Sequence, residues 1–221
     1  MPSANGRRWG HTDSRLPRLL LLTDRHACEA RGRTLMDTVR SAVAGGVRAV
    51  VLREKDLAED QRRRLGAELG SLLEPVTGTL IVASDPALAA ALGARGVHLA
   101  ASDQRPPKLA GKLVGRSCHD GAAVRRAAAE GDDYVTISPV FPTRSKPGYG
   151  PPLGFAGLSR MVLAVPGLSL YALGGVDASS AAACLAAGAA GVAVMGAVMA
   201  ANDPETSAQE LVAAVAAAVT R

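Results

Sequence analysis

The sequence predicts an α/β protein of the (β/α)8 TIM-barrel class, folded as a single domain. Three observations predict it. Eight short apolar runs recur between residues 18 and 195, separated mostly by helix-like segments. The runs are continuously apolar rather than alternating, as expected of parallel strands buried on both faces. Units of roughly 25 residues then close into a barrel near the lower size limit for this fold, and a chain of 221 residues can bury one full core. A doubly wound open sheet is the runner-up, but no GxGxxG follows the first run and eight strands favour closure.

The elements follow in order. RLLLLT (18–23) is the first strand, and a helix is predicted from Thr34 to Ala44. VRAVVLR (47–53) is the second strand. The helix after it, AEDQRRRLGAELGSLL, spaces Leu65, Leu69, Leu72 and Leu73 along one face. TLIVAS (79–84) leads into PALAAALGA, where Pro86 suits a first helical turn. GVHLA (96–100) and KLVGRS (112–117) are joined by a short connector. Asp120 is placed to cap the helix DGAAVRRAAAE. YVTIS (134–138), a helix near 155–164, LSLYAL (168–173), an Asp177-capped helix, GVAVM (191–195) and an Ala-rich helix complete the series. The phrase helix–Gly–Val–strand recurs in AGGVRAV, ALGARGVHL and AAGAAGVAV, as tight αβ turns ending in Gly require.

Charge and composition exclude several classes. The net charge of +5 suggests nucleic acid, but residues 1–18 carry four arginines against one aspartate, which is most of the excess. Two Phe, three Tyr and one Trp leave few rings to stack on bases, so nucleic-acid binding is not expected. Residues 1–17 read as a disordered basic leader and 18–221 as the barrel domain; the leader lacks the apolar stretch of a signal peptide. The uncharged stretch 181–201 is long enough to span a bilayer, but it is mostly Ala and Gly and is divided at Gly188 into a helical and a β-branched half. It reads as buried core, with no membrane partner. Cys28, Cys118 and Cys184 are odd in number and far apart, which points to a reduced, cytoplasmic protein without a zinc site.

In such a barrel, chemistry belongs just after each strand's C-terminal end. There the chain carries Arg53, Glu54, Lys55 and Asp56, then Ser84 and Asp85, then Ser102 and Asp103, then Ser117, Cys118 and His119. The segment TISPVFPTRSKPGYG adds Thr143, Arg144, Ser145 and Lys146 on a proline-stiffened loop, and the last two strands end at Gly174-Gly175 and at Met195-Gly196. Glycines at those loops expose backbone N–H groups where barrels commonly hold phosphate. Asp85 and Asp103 are hard oxygen donors suited to Mg²⁺, and Arg53, Lys55 and Lys146 can clamp further phosphate oxygens. A phosphorylated small molecule with Mg²⁺ is the expected ligand. His98, inside a strand, reads as a packed core histidine, and His26 as a surface residue.

The ordered set LREKD, SDPALAAALGARGVHL, GRSCHD, DYVTISPVFPTRSKPG and ALGGV…AAGAAGVAVMGAV resembles the thiamine phosphate synthase and thiazole tautomerase family over about residues 18–215. The resemblance implies a (β/α)8 barrel that joins aminopyrimidine methyl diphosphate to thiazole phosphate and releases diphosphate with Mg²⁺. Arg53, Lys55, Ser117 and Lys146 would then contact the diphosphate, and Asp85 and Asp103 would hold the metal. Thr143 and Ser145 would bind thiazole phosphate, with Gly174, Gly175, Met195 and Gly196 around its phosphate. The chain departs from the synthase pattern at Val51, where a glutamine is usual, at Ser84, where an asparagine is usual, and at Ala100-Ala101-Ser102-Asp103 in place of GQxD. GRSCHD also resembles the tautomerase branch, in which a histidine at the position of His119 shuttles a proton without metal. A metal-independent thiazole tautomerase and a non-catalytic thiazole or thiamine phosphate-binding paralogue therefore remain open, and the chain is compatible with a homo-oligomer.

Overall fold

The computed structural model describes residues 16–106, 111–143, 148 and 150–218. Eight strands, β1 (Leu19–Leu22), β2 (Ala49–Leu52), β3 (Thr79–Ala83), β4 (Gly96–Leu99), β5 (Leu113–Cys118), β6 (Tyr134–Ile137), β7 (Ser169–Leu173) and β8 (Gly191–Val194), form a closed barrel in chain order. Every neighbour is parallel, and β8 closes on β1 with Leu19 opposite Val192 and Leu21 opposite Val194. The predicted class and the position of every strand are met.

Burial on both faces explains why the strands are apolar throughout. Leu20, Leu22, Ala49, Val51, Ile81, Ala83, Tyr134, Tyr171 and Ala193 fill the interior. Their sequence neighbours, such as Leu21, Val50, Leu52 and Val82, pack outward against the helices. Tyr134 and Tyr171 meet edge to face at 5.7 Å. Gly115 and Gly191 make room for them, since a Cβ at either would overlap a tyrosine ring.

The helices are α1 (Arg25–Glu29), α2 (Leu35–Ala44), α3 (Glu59–Leu73), α4 (Pro86–Ala91), α5 (Gly121–Ala129), α6 (Gly154–Ala164), α7 (Ala178–Ala186), α8 (Gly196–Met199) and α9 (Pro204–Ala217). Asp120 and Asp177 cap α5 and α7 as expected, the latter in a capping box with Ser180. Two short helices escape the sequence reading. α1 is five mostly polar residues with no apolar period, and α8 lies inside the apolar run where strand passes into helix without a change of composition. The stretch 181–201 is thus α7, β8 and α8, and no helix among the described residues is long and apolar enough to cross a membrane.

The boundary of the predicted leader needs correction. Leu16 packs against the interior cluster, and the Tyr171 hydroxyl donates to the carbonyls of Leu16 and Pro17 at 3.2 Å. These two residues therefore belong to the floor of the barrel, because a buried phenol needs an acceptor and the incoming chain supplies it. Residues 1–15 lie outside the described residues.

Candidate active site

A cavity of about 950 Å³ opens at the C-terminal end of the strands. Arg53, Lys55, Ser117, His119, Thr143, Gly174, Gly175, Met195 and Gly196 line it, over a floor that includes Leu22, Val51, Ala83, His98 and Ala193. Most of the residues expected from sequence are thus brought together. Ser145 and Lys146, with Arg144, lie outside the described residues.

The cations reach the cavity from β2. The backbone N–H of Arg53 donates to the buried Thr23 hydroxyl at 2.9 Å, which fixes the strand's exit. Lys55 Nζ donates to Ser84 Oγ at 2.6 Å, and Ser84 donates to Asp103 Oδ2 at 2.5 Å. Asp103 also accepts from the Ala100 N–H at 2.7 Å. Burial opposes its ionisation, but the Ser84 hydroxyl, the Ala100 N–H and the charges of Lys55 and Arg116 outweigh this and hold the carboxyl below its usual range. Ser84 itself adopts φ +55°, a left-handed conformation unusual for serine.

The two aspartates expected to hold the metal do not line the cavity together. Asp85 caps α4, accepting from the Leu88 N–H at 2.9 Å, and its other oxygen pairs with Arg62 at 3.2 Å. It faces a separate depression with Leu57, Glu59 and Arg63. Asp103 stands two hydrogen bonds behind Lys55, through Ser84, rather than on the cavity wall. Among the described residues no group of three or more His, Cys, Asp or Glu could enclose a metal. Carboxylate oxygens of this kind suit Mg²⁺, which keeps several waters and relies on substrate phosphates for the rest of its shell, but only Asp103 and Ser84 stand together here, with Asp85 committed elsewhere.

Across the cavity, Gly174 and Gly175 adopt φ of +90° and +65°. Their lack of side chains also serves packing: a Cβ on Gly174 would strike Pro139, and one on Gly175 would strike Phe141 and the carbonyl of Pro142. Val140 and Phe141 donate to the carbonyls of Leu173 and Gly174 at 2.9 Å, so the proline-rich loop is pinned to the end of β7. Next to it, α8 is a short extra helix directly after β8, starting at Gly196, as in barrels that hold phosphate there.

His119 Nδ1 lies 2.9 Å from the carbonyl oxygen of Ser138, which can only accept. Nδ1 therefore carries a proton and donates to that carbonyl.

Several residues escaped sequence reasoning. His98 is buried, as expected, but it also forms part of the cavity floor and contacts Ser117. His26 is exposed, as expected, yet it joins Arg25 in holding Asp56: Arg25 binds Asp56 through two hydrogen bonds of 2.7 and 2.6 Å, while His26 Nε2 is 3.0 Å from the same carboxylate. Arg25 also pairs with the buried Glu54 at 3.2 Å, tying the loops after β1 and β2 together. Alternation along β4 could have placed His98 and Gly96 on one face, but not which face was inside, since parallel barrel strands are buried on both.

The profile of the thiamine monophosphate synthase family matches residues 19–198. The chain belongs to the thiamine monophosphate synthase family. Thiamine-phosphate synthase of Methanoculleus marisnigri is 40% identical over 196 residues, covering 85% of this chain and 91% of that protein. The enzyme of the same name from Albidiferax ferrireducens is 40% identical over 202 residues, with 88% and 90% covered. Among family structures, thiamine phosphate pyrophosphorylase from Pyrococcus furiosus superposes with a TM-score of 0.81 at 27% identity, over 91% of this chain and 96% of that one.

Proposed function

We propose that this barrel is a thiamine-phosphate synthase, a cytoplasmic transferase that joins aminopyrimidine methyl diphosphate to thiazole phosphate and releases diphosphate. One observation carries the reading. Two groups of different make-up that suit anions face the same cavity: Arg53 and Lys55 after β2 with Ser117 near the end of β5, and the Gly174-Gly175 pair with Gly196 after β7 and β8. That suits two phosphorylated substrates bound side by side.

In the reaction, the bond between the pyrimidine methylene carbon and the diphosphate oxygen breaks, and its electron pair leaves with diphosphate. The thiazole nitrogen lone pair then forms the new C–N bond, and no proton is needed. Arg53, Lys55 and Ser117 stabilise the charge that grows on the leaving oxygen, a role that the family resemblance extends to Lys146. Thr143, Ser145 and the glycine N–H groups hold the thiazole phosphate, so that nucleophile and electrophile start close together. Asp103 would help hold Mg²⁺, which would neutralise diphosphate charge when bound, and Asp85 would join it only by leaving Leu88 and Arg62. The apolar Val51 and Ala83 on the floor give the pyrimidine a flat surface without hydrogen bonds.

A second reading rests on His119. Its orientation by the Ser138 carbonyl and its place on the cavity wall also suit proton transfer with a carboxythiazole phosphate without metal. Assaying Lys146→Ala and His119→Asn with both substrate sets, with and without Mg²⁺, separates the two. For a synthase, Lys146→Ala lowers turnover by roughly 10²–10³ and His119→Asn has a much smaller effect. Wild-type protein that isomerises carboxythiazole phosphate without metal and never releases diphosphate overturns the synthase reading. Protein that binds a thiazole or thiamine phosphate and does neither reaction is a binding protein.

A further inference from the structure

Three adjacent strands place one residue each in a single row across the barrel interior: His98 on β4 pairs with Gly115 on β5, which pairs with Tyr134 on β6. Because Gly115 has no side chain, the Tyr134 ring crosses β5 and reaches the histidine. The two rings lie 5.5 Å apart, and the Tyr134 hydroxyl is 3.1 Å from His98 Nδ1. One step nearer the cavity, His98 Nε2 is 3.0 Å from the Ser117 hydroxyl.

We propose that Tyr134 and His98 are positioning residues that fix the polarity of a relay, Tyr134 O–H to Nδ1 and Nε2–H to Ser117 Oγ, so that Ser117 turns its own proton toward a substrate phosphate oxygen. The direction follows from counting donors and acceptors. Tyr134 is buried to 1% exposure, and among the described residues its hydroxyl has one partner, His98 Nδ1. If Nδ1 carried a proton and donated, the phenolic O–H would be left buried without an acceptor, which is the costlier arrangement. With Nδ1 accepting, a neutral ring must carry its proton on Nε2. The ring is neutral: burial first, then the positive charges of Lys55 and Arg116, push its pKa down to about 4 against the weaker pull of Asp103.

Thr136 Oγ1 is 3.4 Å from the same Nε2. An imidazole nitrogen has one lone pair and cannot accept from two hydroxyls, whereas one N–H can be shared between two oxygens. Ser117 lines the cavity, so its hydrogen, excluded from His98, has the cavity to point into. A serine of the opposite polarity would offer the phosphate only lone pairs. The relay thus converts an ambivalent hydroxyl into a dedicated donor for an anion.

The last link rests on the proposed diphosphate site, whereas the tautomer does not, and two measurements on the full chain separate them. In the first, ¹⁵N NMR of the imidazole at neutral pH reads which nitrogen of His98 is protonated. Protonated Nε2 is expected, and protonated Nδ1 overturns the relay. In the second, inorganic diphosphate with Mg²⁺ is titrated calorimetrically into the wild type, Ser117→Ala, His98→Gln and His98→Asn. Ser117→Ala weakens diphosphate by about ten- to a hundred-fold, the scale of a hydrogen bond to a charged oxygen. The Gln amide can reach the place of Nε2–H, so His98→Gln binds within about three-fold of wild type. The shorter Asn cannot reach it, and His98→Asn binds as weakly as Ser117→Ala. A residue that serves only the packing would make the Gln and Asn variants alike, and that result overturns the proposal. So does a Ser117→Ala protein that binds diphosphate as tightly as wild type. A wild type that binds no diphosphate sinks the synthase reading and the anion end of the relay together, even with Nε2 protonated.

Discussion

Replacing Asp132 by alanine should be among the most destabilising single changes outside the apolar core. Arg116, on the outer face of β5, is 2% exposed and Asp132 is 0% exposed. Arg116 Nε donates to Asp132 at 2.7 Å, Nη2 to Glu130 at 2.7 Å, and Nη1 to the carbonyl of Asp103 at 2.7 Å; Arg105 binds the other oxygen of Asp132. Removing one partner of a buried pair leaves the other charge uncompensated, at about 3–5 kcal/mol. Glu130 and the Asp103 carbonyl remain, and Arg105 is exposed enough to turn to water, so the low end applies, about 3 kcal/mol. For a domain of this size that lowers Tm by roughly 6–12 °C. Thermal and urea unfolding of Asp132→Ala and of the double variant Arg116→Met/Asp132→Ala test it. The double variant should recover to within about 1 kcal/mol of wild type, because it buries no unpaired charge. On the proposed function it should still bind diphosphate with Mg²⁺ more weakly than wild type, because the hydrogen bond that steadies the Asp103 backbone is gone. A loss below about 1 kcal/mol in the single variant, or a double variant less stable than the single one, would refute the argument.

Acid should weaken the fold through His98. Its folded pKa of about 4 lies below the ordinary 6.5, so the unfolded chain takes up a proton first as pH falls. Stability is full above pH 6.5 and is lost progressively down to about pH 4, by about 3 kcal/mol in all; urea midpoints of His98→Gln across this range should lack that component. Gly175→Ala combines a left-handed backbone at φ +65° with a Cβ pressed against Phe141 and Pro142. It should cost roughly 2–4 kcal/mol in urea unfolding and raise KM for thiazole phosphate, and an unchanged midpoint would show that the loop yields freely.

Much of the candidate site was legible because a barrel maps sequence position onto space simply. Residues at or just after the ends of successive strands must share one rim, so Arg53, Lys55, Ser117, His119, Thr143, Gly174, Gly175, Met195 and Gly196 could be gathered from strand ends alone, and they do line one cavity. What that rule cannot supply is the direction of a side chain. Asp85 and Asp103 follow consecutive strands, but one commits its oxygens to a helix cap and to Arg62, an α3 residue far away in the chain. The other is engaged by Ser84 and by its own loop.

The sequence by itself determined the fold class, the order of the eight strands and the rim on which chemistry is carried, because apolar runs, caps and Gly-ended turns are local signals that the chain spells out. Only the tertiary structure decided which face of each apolar strand looks inward, and so turned His98 from a packed histidine into a contact of Ser117 across Gly115 and Tyr134. It also decided that Arg116, a charge inside an otherwise apolar strand, meets Asp132 and holds the Asp103 loop. Closure is the physical reason: β1 meets β8 and each strand acquires neighbours on both sides, so polar contacts form between residues that no local pattern connects.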